Sequence, residues 1–262
     1  MTTGVLGSDF AGDRWSAADR RAMWDQARVA EVERGASGTV MRLRLADVPD
    51  VLPGQYYLVR LAVDVPPGVV EQAYSLCSSP YPPSAEVEIA VREVPRGRAS
   101  PVLAHRVEVG DFLQVRGPFG FLTWTEHDGG PIGLIGAGSG VAPLTAIVRY
   151  AAARELTVPM TLLASSRDRL SGILREPLEA LARDRAWFTL TSTVTRSPSD
   201  CISRYRRRID ASMLAEVFTA APRERRPHIY YVAGPGDMVI AVRALLGSLG
   251  VADDAIYSED HA

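Results

Sequence analysis

Apolar and polar residues alternate along several short stretches in the first half of the chain. Arg28-Val29-Ala30-Glu31-Val32 alternates, and so does Thr39-Val40-Met41-Arg42-Leu43-Arg44-Leu45. Pro53-Gly54 then introduces Gln55-Tyr56-Tyr57-Leu58-Val59-Arg60-Leu61. A period of two predicts strands with one buried face. Residues 87–91 and 112–115 read as further strands, with turn chemistry at Pro66-Pro67-Gly68, at 80–84 and at Gly110-Asp111. Short strands separated this way predict a small antiparallel barrel over residues 25–125.

The pattern changes near Asp128-Gly129-Gly130-Pro131. Over residues 126–262, apolar strand-like runs at 132–135, 160–164, 187–193 and 228–232 alternate with helical stretches at 143–154, 176–182, 211–218 and 238–249. That order predicts a parallel sheet wrapped by helices. Residues 1–24 read as a lead-in with a short helix around 17–24.

One junction in the second half carries candidate chemistry. Gly133-Leu134-Ile135 ends as a buried strand, and Gly136, Gly138 and Gly140 leave a loop with few side chains. Pro143 then sits in the expected first helical turn, followed by Leu144, Ile147, Val148 and Ala151 at helical spacing. Strand, glycine loop and helix N-terminus make a cradle for an anion, and a nucleotide phosphate suits it. The loop departs from the usual dinucleotide fingerprint because position 141 is Val, and no P-loop Lys follows. A glycine loop alone also serves as a plain tight connection.

Composition narrows the classes. The chain has 262 residues, 47% of them hydrophobic, with a formal net charge of −2, so no basic excess calls for nucleic acid. No apolar run approaches the ~18 residues of a membrane span. The N-terminus has no secretory apolar core, and the two scattered cysteines predict the reducing cytoplasm. Cys77 and Cys201 are too few and too far apart for a redox pair or an iron–sulfur cluster. The four histidines lack metal-ligand spacing, so no metal is expected.

The order of motifs resembles the ferredoxin–NADP reductase superfamily, specifically single-module bacterial oxidoreductases without a fused ferredoxin. Pro53-Gly54-Gln55-Tyr56 precedes Gln72-Ala73-Tyr74-Ser75, similar to that family's Arg-x-Tyr-Ser segment. Gly97-Arg98-Ala99-Ser100 and Gly110-Asp111 through Gly120 follow, then the loop at 136–144, Ala233-Gly234-Pro235 with Met238, and Glu259 near the C-terminus. The resemblance implies two domains: an antiparallel six-stranded flavin-binding β-barrel, then an α/β parallel-sheet NADP-binding domain. It implies FAD as cofactor, a nicotinamide coenzyme, and electrons passed to a separate acceptor protein: a ferredoxin, an oxygenase or a molybdenum oxidoreductase.

It also assigns residues. Gln72, Ala73, Tyr74, Ser75, Val91, Arg92, Gly97, Ala99 and Ser100 would surround the flavin. Tyr74 would lie against the isoalloxazine, and the Ser75 hydroxyl would face flavin N5. Ser75 and Glu259 would be the catalytic pair. Gly138, Ser139, Gly140 and Val141, with Gly234, Pro235 and Met238, would hold the coenzyme. Ser165, Ser166, Arg167 and Arg206 suit a ribose 2′-phosphate, Tyr205 suits adenine stacking, and no acid stands at 165–167 to grip a free 2′-hydroxyl, so NADPH is expected over NADH.

Two departures keep other readings open. Position 72 is Gln where the family's Arg holds flavin phosphate, and position 233 is Ala where many relatives carry Cys. Gln lacks the charge and fork of Arg, unless Arg92, Arg96 or Arg98 compensates. A flavin reductase acting on diffusible flavin is one alternative. A non-catalytic subunit with a decayed flavin site is another. An electron-transfer subunit of dihydroorotate dehydrogenase would need a C-terminal cysteine cluster that this sequence lacks.

Overall fold

The computed structural model describes residues 23–261 except 65, 67, 95 and 221. The expected helix at 17–24 therefore lies almost wholly outside the described residues. The first sheet contains β1 (Asp25–Gly35), β2 (Gly38–Arg44), β3 (Tyr56–Ala62), β4 (Val69–Ser75), β5 (Glu86–Val91) and β6 (Phe112–Phe119). Their order is β4-β3-β6-β1-β2-β5, with every neighbouring pair antiparallel. Just beyond β4, Leu76 bridges Ile89 of β5, and Cys77 N donates to Glu88 O at 2.8 Å, which joins the two edges into a barrel. The alternation seen in sequence becomes its interior: Val29, Met41, Leu43, Val59, Ile89 and Val115 are buried together. A short helix α1 (Ser100–His105) packs Leu103 into that core.

The second sheet contains β7 (Ile132–Ala137), β8 (Met160–Ser166), β9 (Phe188–Val194), β10 (Ile229–Gly234) and β11 (Ile256–Asp260). The order is β11-β10-β7-β8-β9, all parallel. Successive strand residues face opposite layers. Leu134, Leu162 and Tyr231 pack with α2 (Val141–Ala153) and Leu178 of α3 (Arg175–Asp184). Ile135, Leu163 and Val232 pack with Met213 of α4 (Ala211–Leu214) and Val239, Val242 and Leu246 of α5 (Gly236–Ser248). Burial on both faces explains the unbroken apolar runs of these strands.

Three elements differ from expectation. β4 has the burial of an exposed strand until Tyr74 and Ser75, so its sequence shows no alternation. β11 is short, with Ile256 in the core, Tyr257 stacked on Tyr231 and polar residues after them, so its sequence shows no apolar run. The helix expected at 211–218 is an α-turn followed by a wider π-turn at Ala215–Thr219.

The two sheets share one continuous core. Cys77, Ala90, Leu122 and Trp124 from the first part pack with Val141, Leu144 and Val148 of α2. Trp124 is fully buried, and its indole Nε1 donates to Gly129 O at 2.9 Å. That junction fixes the barrel against the ends of β7, β10 and β11, where a parallel sheet places its ligands.

Candidate active site

A cavity of about 1030 Å³ opens between the barrel and the α/β sheet. This is at the upper end of the usual range for small-molecule sites, roughly 300–1,000 Å³, and suits a dinucleotide-sized ligand. Gln72, Ala73, Tyr74 and Ser75 at the end of β4 line it, with Arg92, Gly97, Ala99 and Ser100 beyond β5. Ser139, Gly236, Arg243, Glu259 and His261 line it from the other side.

Tyr74 and Ser75 sit where β4 turns into the core, only 9% and 8% exposed. Burial pushes the Tyr74 hydroxyl well above the ordinary phenol value, so the ring stays neutral. Tyr56 stands directly across the ladder from Ser75 and also lines the cavity. The Pro53-Gly54-Gln55-Tyr56 segment is legible in sequence, and strand pairing adds its place opposite Ser75. Gln55 supports the floor: its side chain accepts from Leu52 N at 2.9 Å and donates to Gly120 O at 3.4 Å. Gly120 has φ +105°, and a side chain there would stand 3.1 Å from the Tyr56 ring and 3.3 Å from the Glu259 carboxylate. The glycine thus brings the barrel loop and β11 together.

Arg92 is the least satisfied cation of the site. Its Nε is buried with no hydrogen-bond partner. Burial, and then the charge of Arg167, lower its pKa. A Cβ on Gly138 would lie 3.3 Å from Arg92 Nη2, so the guanidinium rests over the glycine loop of the other domain. Two arginines close enough to interact, one with an unpartnered nitrogen, fit an anion. Arg98, by contrast, donates to Pro66 O at the surface.

The glycine loop is a close-packing device as well as a cradle. A Cβ on Gly140 would stand 2.2 Å from Ala233 O, so only glycine lets the loop press onto β10. Residues 138–140 form a 3-10 turn that runs directly into α2. Gly138, Val141, Ser165 and Ser166 line a small hollow of about 30 Å³ at the ends of β7 and β8. The Ser166 hydroxyl donates to Asp168 O at 2.6 Å, and Arg167 is exposed. Gly234 has φ +151°, and a Cβ there would meet Met238 Cε at 2.6 Å; the exposed Pro235 accepts from Met238 N at 2.8 Å.

Among the assigned residues, Val91, Tyr205 and Arg206 line neither the cavity nor the hollow. Val91 is fully buried in the barrel interior and does not line the cavity. Tyr205 is 6% exposed within the core around α4 and α5. Its hydroxyl donates to Glu216 Oε2 at 2.7 Å, and Arg204 and Arg207 lie 5.3 and 4.9 Å from its ring centroid. A ring so covered offers no open face for adenine. Arg206 is exposed, and its Nη1 donates to Asp200 O at 2.5 Å.

The C-terminal tail is built into the site. His261 N donates to Gly234 O at 2.8 Å, so the last described residue stays bonded to β10. Its ring lines the cavity beside Glu259. Phe121, 96% exposed, and Ile240, 71% exposed, stand on opposite lips of the same cavity. Neither was singled out from sequence, since an isolated apolar residue carries no periodic signal.

Residues 32–124 match the family described as the oxidoreductase FAD-binding domain, and residues 134–244 match the oxidoreductase NAD-binding domain. Ferredoxin–NADP reductase B of Sorangium cellulosum is 31% identical over 203 residues, covering 77% of this chain and 82% of that protein. The chain belongs to the ferredoxin–NADP reductase superfamily. It is an oxidoreductase module with an FAD-binding and an NAD-binding domain. The flavohemoprotein of Bordetella pertussis is 30% identical over 257 residues, covering 93% of this chain. The chain spans 63% of that relative's length. Among solved structures, the FAD/NAD-binding domain of Vibrio cholerae nitric oxide dioxygenase superposes with a TM-score of 0.78 at 24% identity, over 90% of this chain and 98% of that one. The Neisseria gonorrhoeae ferredoxin–NADP+ reductase with bound FAD and NADP superposes with a TM-score of 0.74 at 18% identity, over 90% and 98%. Both share this fold. Among the described residues, no helix is long and apolar enough to cross a membrane, and no cluster of His, Cys, Asp or Glu could hold a metal ion.

Proposed function

We propose that the chain takes a hydride from NADPH onto FAD held in the interdomain cavity and passes electrons to a separate acceptor protein. The observation that carries this reading is Arg92. A half-buried guanidinium with an unpartnered Nε, beside the glycine loop and Arg167, supports a phosphate contact there. It supplies the charge that Gln72 lacks. The division at residues 125/126 into an FAD-binding barrel and an NAD(P)-binding α/β domain belongs to the same reading.

The bound flavin would supply the step from a two-electron donor to single-electron acceptors. This chain's residues bind and orient. Tyr74 gives the isoalloxazine a flat, neutral contact, and the Ser75 hydroxyl, which makes no hydrogen bond among the described residues, serves as donor or acceptor. Glu259 closes the cavity from β11. The loop at 138–141 and Arg167 hold the coenzyme. Reductase components of oxygenase systems are among the relatives, including the naphthalene 1,2-dioxygenase reductase of Pseudomonas putida at 26% identity. That kinship supports an external acceptor.

Purified protein should be yellow, and heat-released flavin should run as FAD on chromatography. NADPH should bleach it anaerobically. Protein that stays colourless with micromolar FAD added overturns the reading. Gln72 favours one second reading, a flavin reductase with weakly held flavin. That case gives colourless protein whose NADPH oxidation depends on added flavin.

A further inference from the structure

We infer that Arg196, on the turn after β9, is a second cation for the coenzyme's ribose 2′-phosphate and so a residue of coenzyme specificity. The inference rests on the NADPH reading above. β8 and β9 run parallel and in register as far as Ser166 and Val194. The turns beyond them stay zipped together. Thr195 N donates to Ser166 O at 3.0 Å, and Arg196 N donates to Arg167 O at 2.7 Å. Thr195 Oγ1 adds a bond to Ser166 O at 3.3 Å. Arg167 and Arg196 therefore leave neighbouring backbone positions at the carboxyl edge of the sheet, where parallel sheets place their ligands. Both are exposed, and neither guanidinium has a hydrogen bond or an ion pair among the described residues.

The acids near these turns are already engaged. Asp168 accepts from Ser171 N at 2.8 Å. Asp200 accepts from Ile202 N, Ser203 N and Ser203 Oγ. Glu179, on the hollow beside Ser165 and Ser166, pairs with Arg175 and Arg169. Arg92 brings a third charge from the barrel side, its pKa lowered by burial and then by Arg167. Like charges gathered this way repel one another unless an anion lies between them. A phosphate monoester carries close to two negative charges at neutral pH and three acceptor oxygens, more than one guanidinium fork engages. Arg167 and Arg196 reach such a group from adjacent turns, with the Ser165 hydroxyl between the same strand ends. The free 2′-hydroxyl of NADH offers them no charge to neutralise. Arg196 thus adds to discrimination and not to the binding that both coenzymes share.

The test compares the purified protein with its Arg196→Gln variant. Gln keeps the backbone N–H that zips the turn and removes the charge, so both should melt together. Isothermal titration with adenosine 2′,5′-bisphosphate and with adenosine 5′-monophosphate isolates the 2′-phosphate from the rest of the nucleotide. The parent should bind the bisphosphate more tightly. Arg196→Gln should weaken the bisphosphate about tenfold and leave the monophosphate unchanged. In flavin reduction the same variant should raise the KM for NADPH, with kcat and the KM for NADH unmoved. A parental bisphosphate affinity in Arg196→Gln, or an equal loss for both nucleotides, overturns the proposal and leaves Arg196 as a solvated side chain. A parent that binds the two nucleotides equally removes the NADPH reading itself, and the role of Arg196 with it.

Discussion

Arg149 of α2 reaches Glu88 of β5: Nη1 lies 2.9 Å from Glu88 Oε2, and also 2.9 Å from Cys77 O. One guanidinium thus ties α2 to the barrel. Glu88 in turn holds Arg42 at 2.9 Å, and Arg42 holds Glu31 at 2.7 Å, so the charges form a row across the barrel wall. Both members of the interdomain pair are mostly buried, at 23% and 19% side-chain exposure, which separates them from ordinary surface ion pairs.

Removing Arg149 leaves Glu88 and the Cys77 carbonyl short of a donor in a half-buried place. Arg149→Ala should cost about 1–3 kcal/mol of stability. Glu88→Gln should cost a comparable amount, and the double variant less than the sum, because the groups share partners. Urea unfolding of the three variants checks this. A parental midpoint in Arg149→Ala would show that apolar packing around Trp124 alone fixes the two parts.

The flavin phosphate grip divides into two substitutions with opposite signs. Arg92→Ala should weaken FAD binding about ten- to a hundredfold, the worth of one charged hydrogen bond at roughly 1.5–3 kcal/mol. Gln72→Arg returns a fork donor on β4 and should tighten binding by up to about tenfold. Fluorescence titration of apoprotein with FAD measures both. An unchanged affinity in Arg92→Ala would move the anion contact to another arginine.

Where a side chain's role follows from periodicity or backbone geometry, the sequence was legible. Val29, Met41 and Val59 announced a barrel wall by alternation, and Leu144, Ile147 and Val148 announced α2 by helical spacing. Gly140 was legible as a loop glycine, though its reason, the 2.2 Å approach to Ala233 O, needed the fold. What stayed hidden depends on partners distant in sequence. β11 brings only Ile256 into the core, too little for a strand pattern, and pairs along the edge of β10. Tyr205 looked available because its neighbours are arginines, yet its hydroxyl is taken by Glu216 eleven residues on. Arg92 gave no motif signal beyond its place after β5, and its significance lies in the loop it meets across the domain junction.

Glu126 should make the junction acid-sensitive. Its carboxylate accepts from Tyr150 at 2.6 Å and from Arg154 at 2.6 Å. The Tyr150 hydrogen bond first, then a backbone hydrogen bond and the Arg154 contact, lower its pKa to about 2. A depressed carboxylate contributes stability that is full above its unfolded value, near 4.5, and is lost as pH falls through about 2. Stability of the parent should therefore decline between those limits more steeply than that of Glu126→Gln. Thermal melts from pH 6 to pH 2 decide it. Parallel curves would mean that the Glu126, Tyr150 and Arg154 contacts add nothing to the acid response.

Coenzyme choice should turn on Arg167. It follows β8 at the end of the sheet, is exposed, and stands near enough to lower the pKa of Arg92. With Tyr205 buried and Arg206 bonded to Asp200 O, Arg167 is left as the principal cation for a ribose 2′-phosphate beside Ser165 and Ser166. A charged hydrogen bond of about 1.5–3 kcal/mol corresponds to roughly ten- to a hundredfold in affinity. Arg167→Ala should raise the KM for NADPH by that factor and leave NADH almost unaffected. Arg206→Ala should change it less, and Tyr205→Phe should act on stability through Glu216 rather than on KM. Stopped-flow reduction with each coenzyme separates these effects. If the parent uses NADH and NADPH equally, the basic run at 204–208 is a structural collar around Tyr205, and the 2′-phosphate assignment falls.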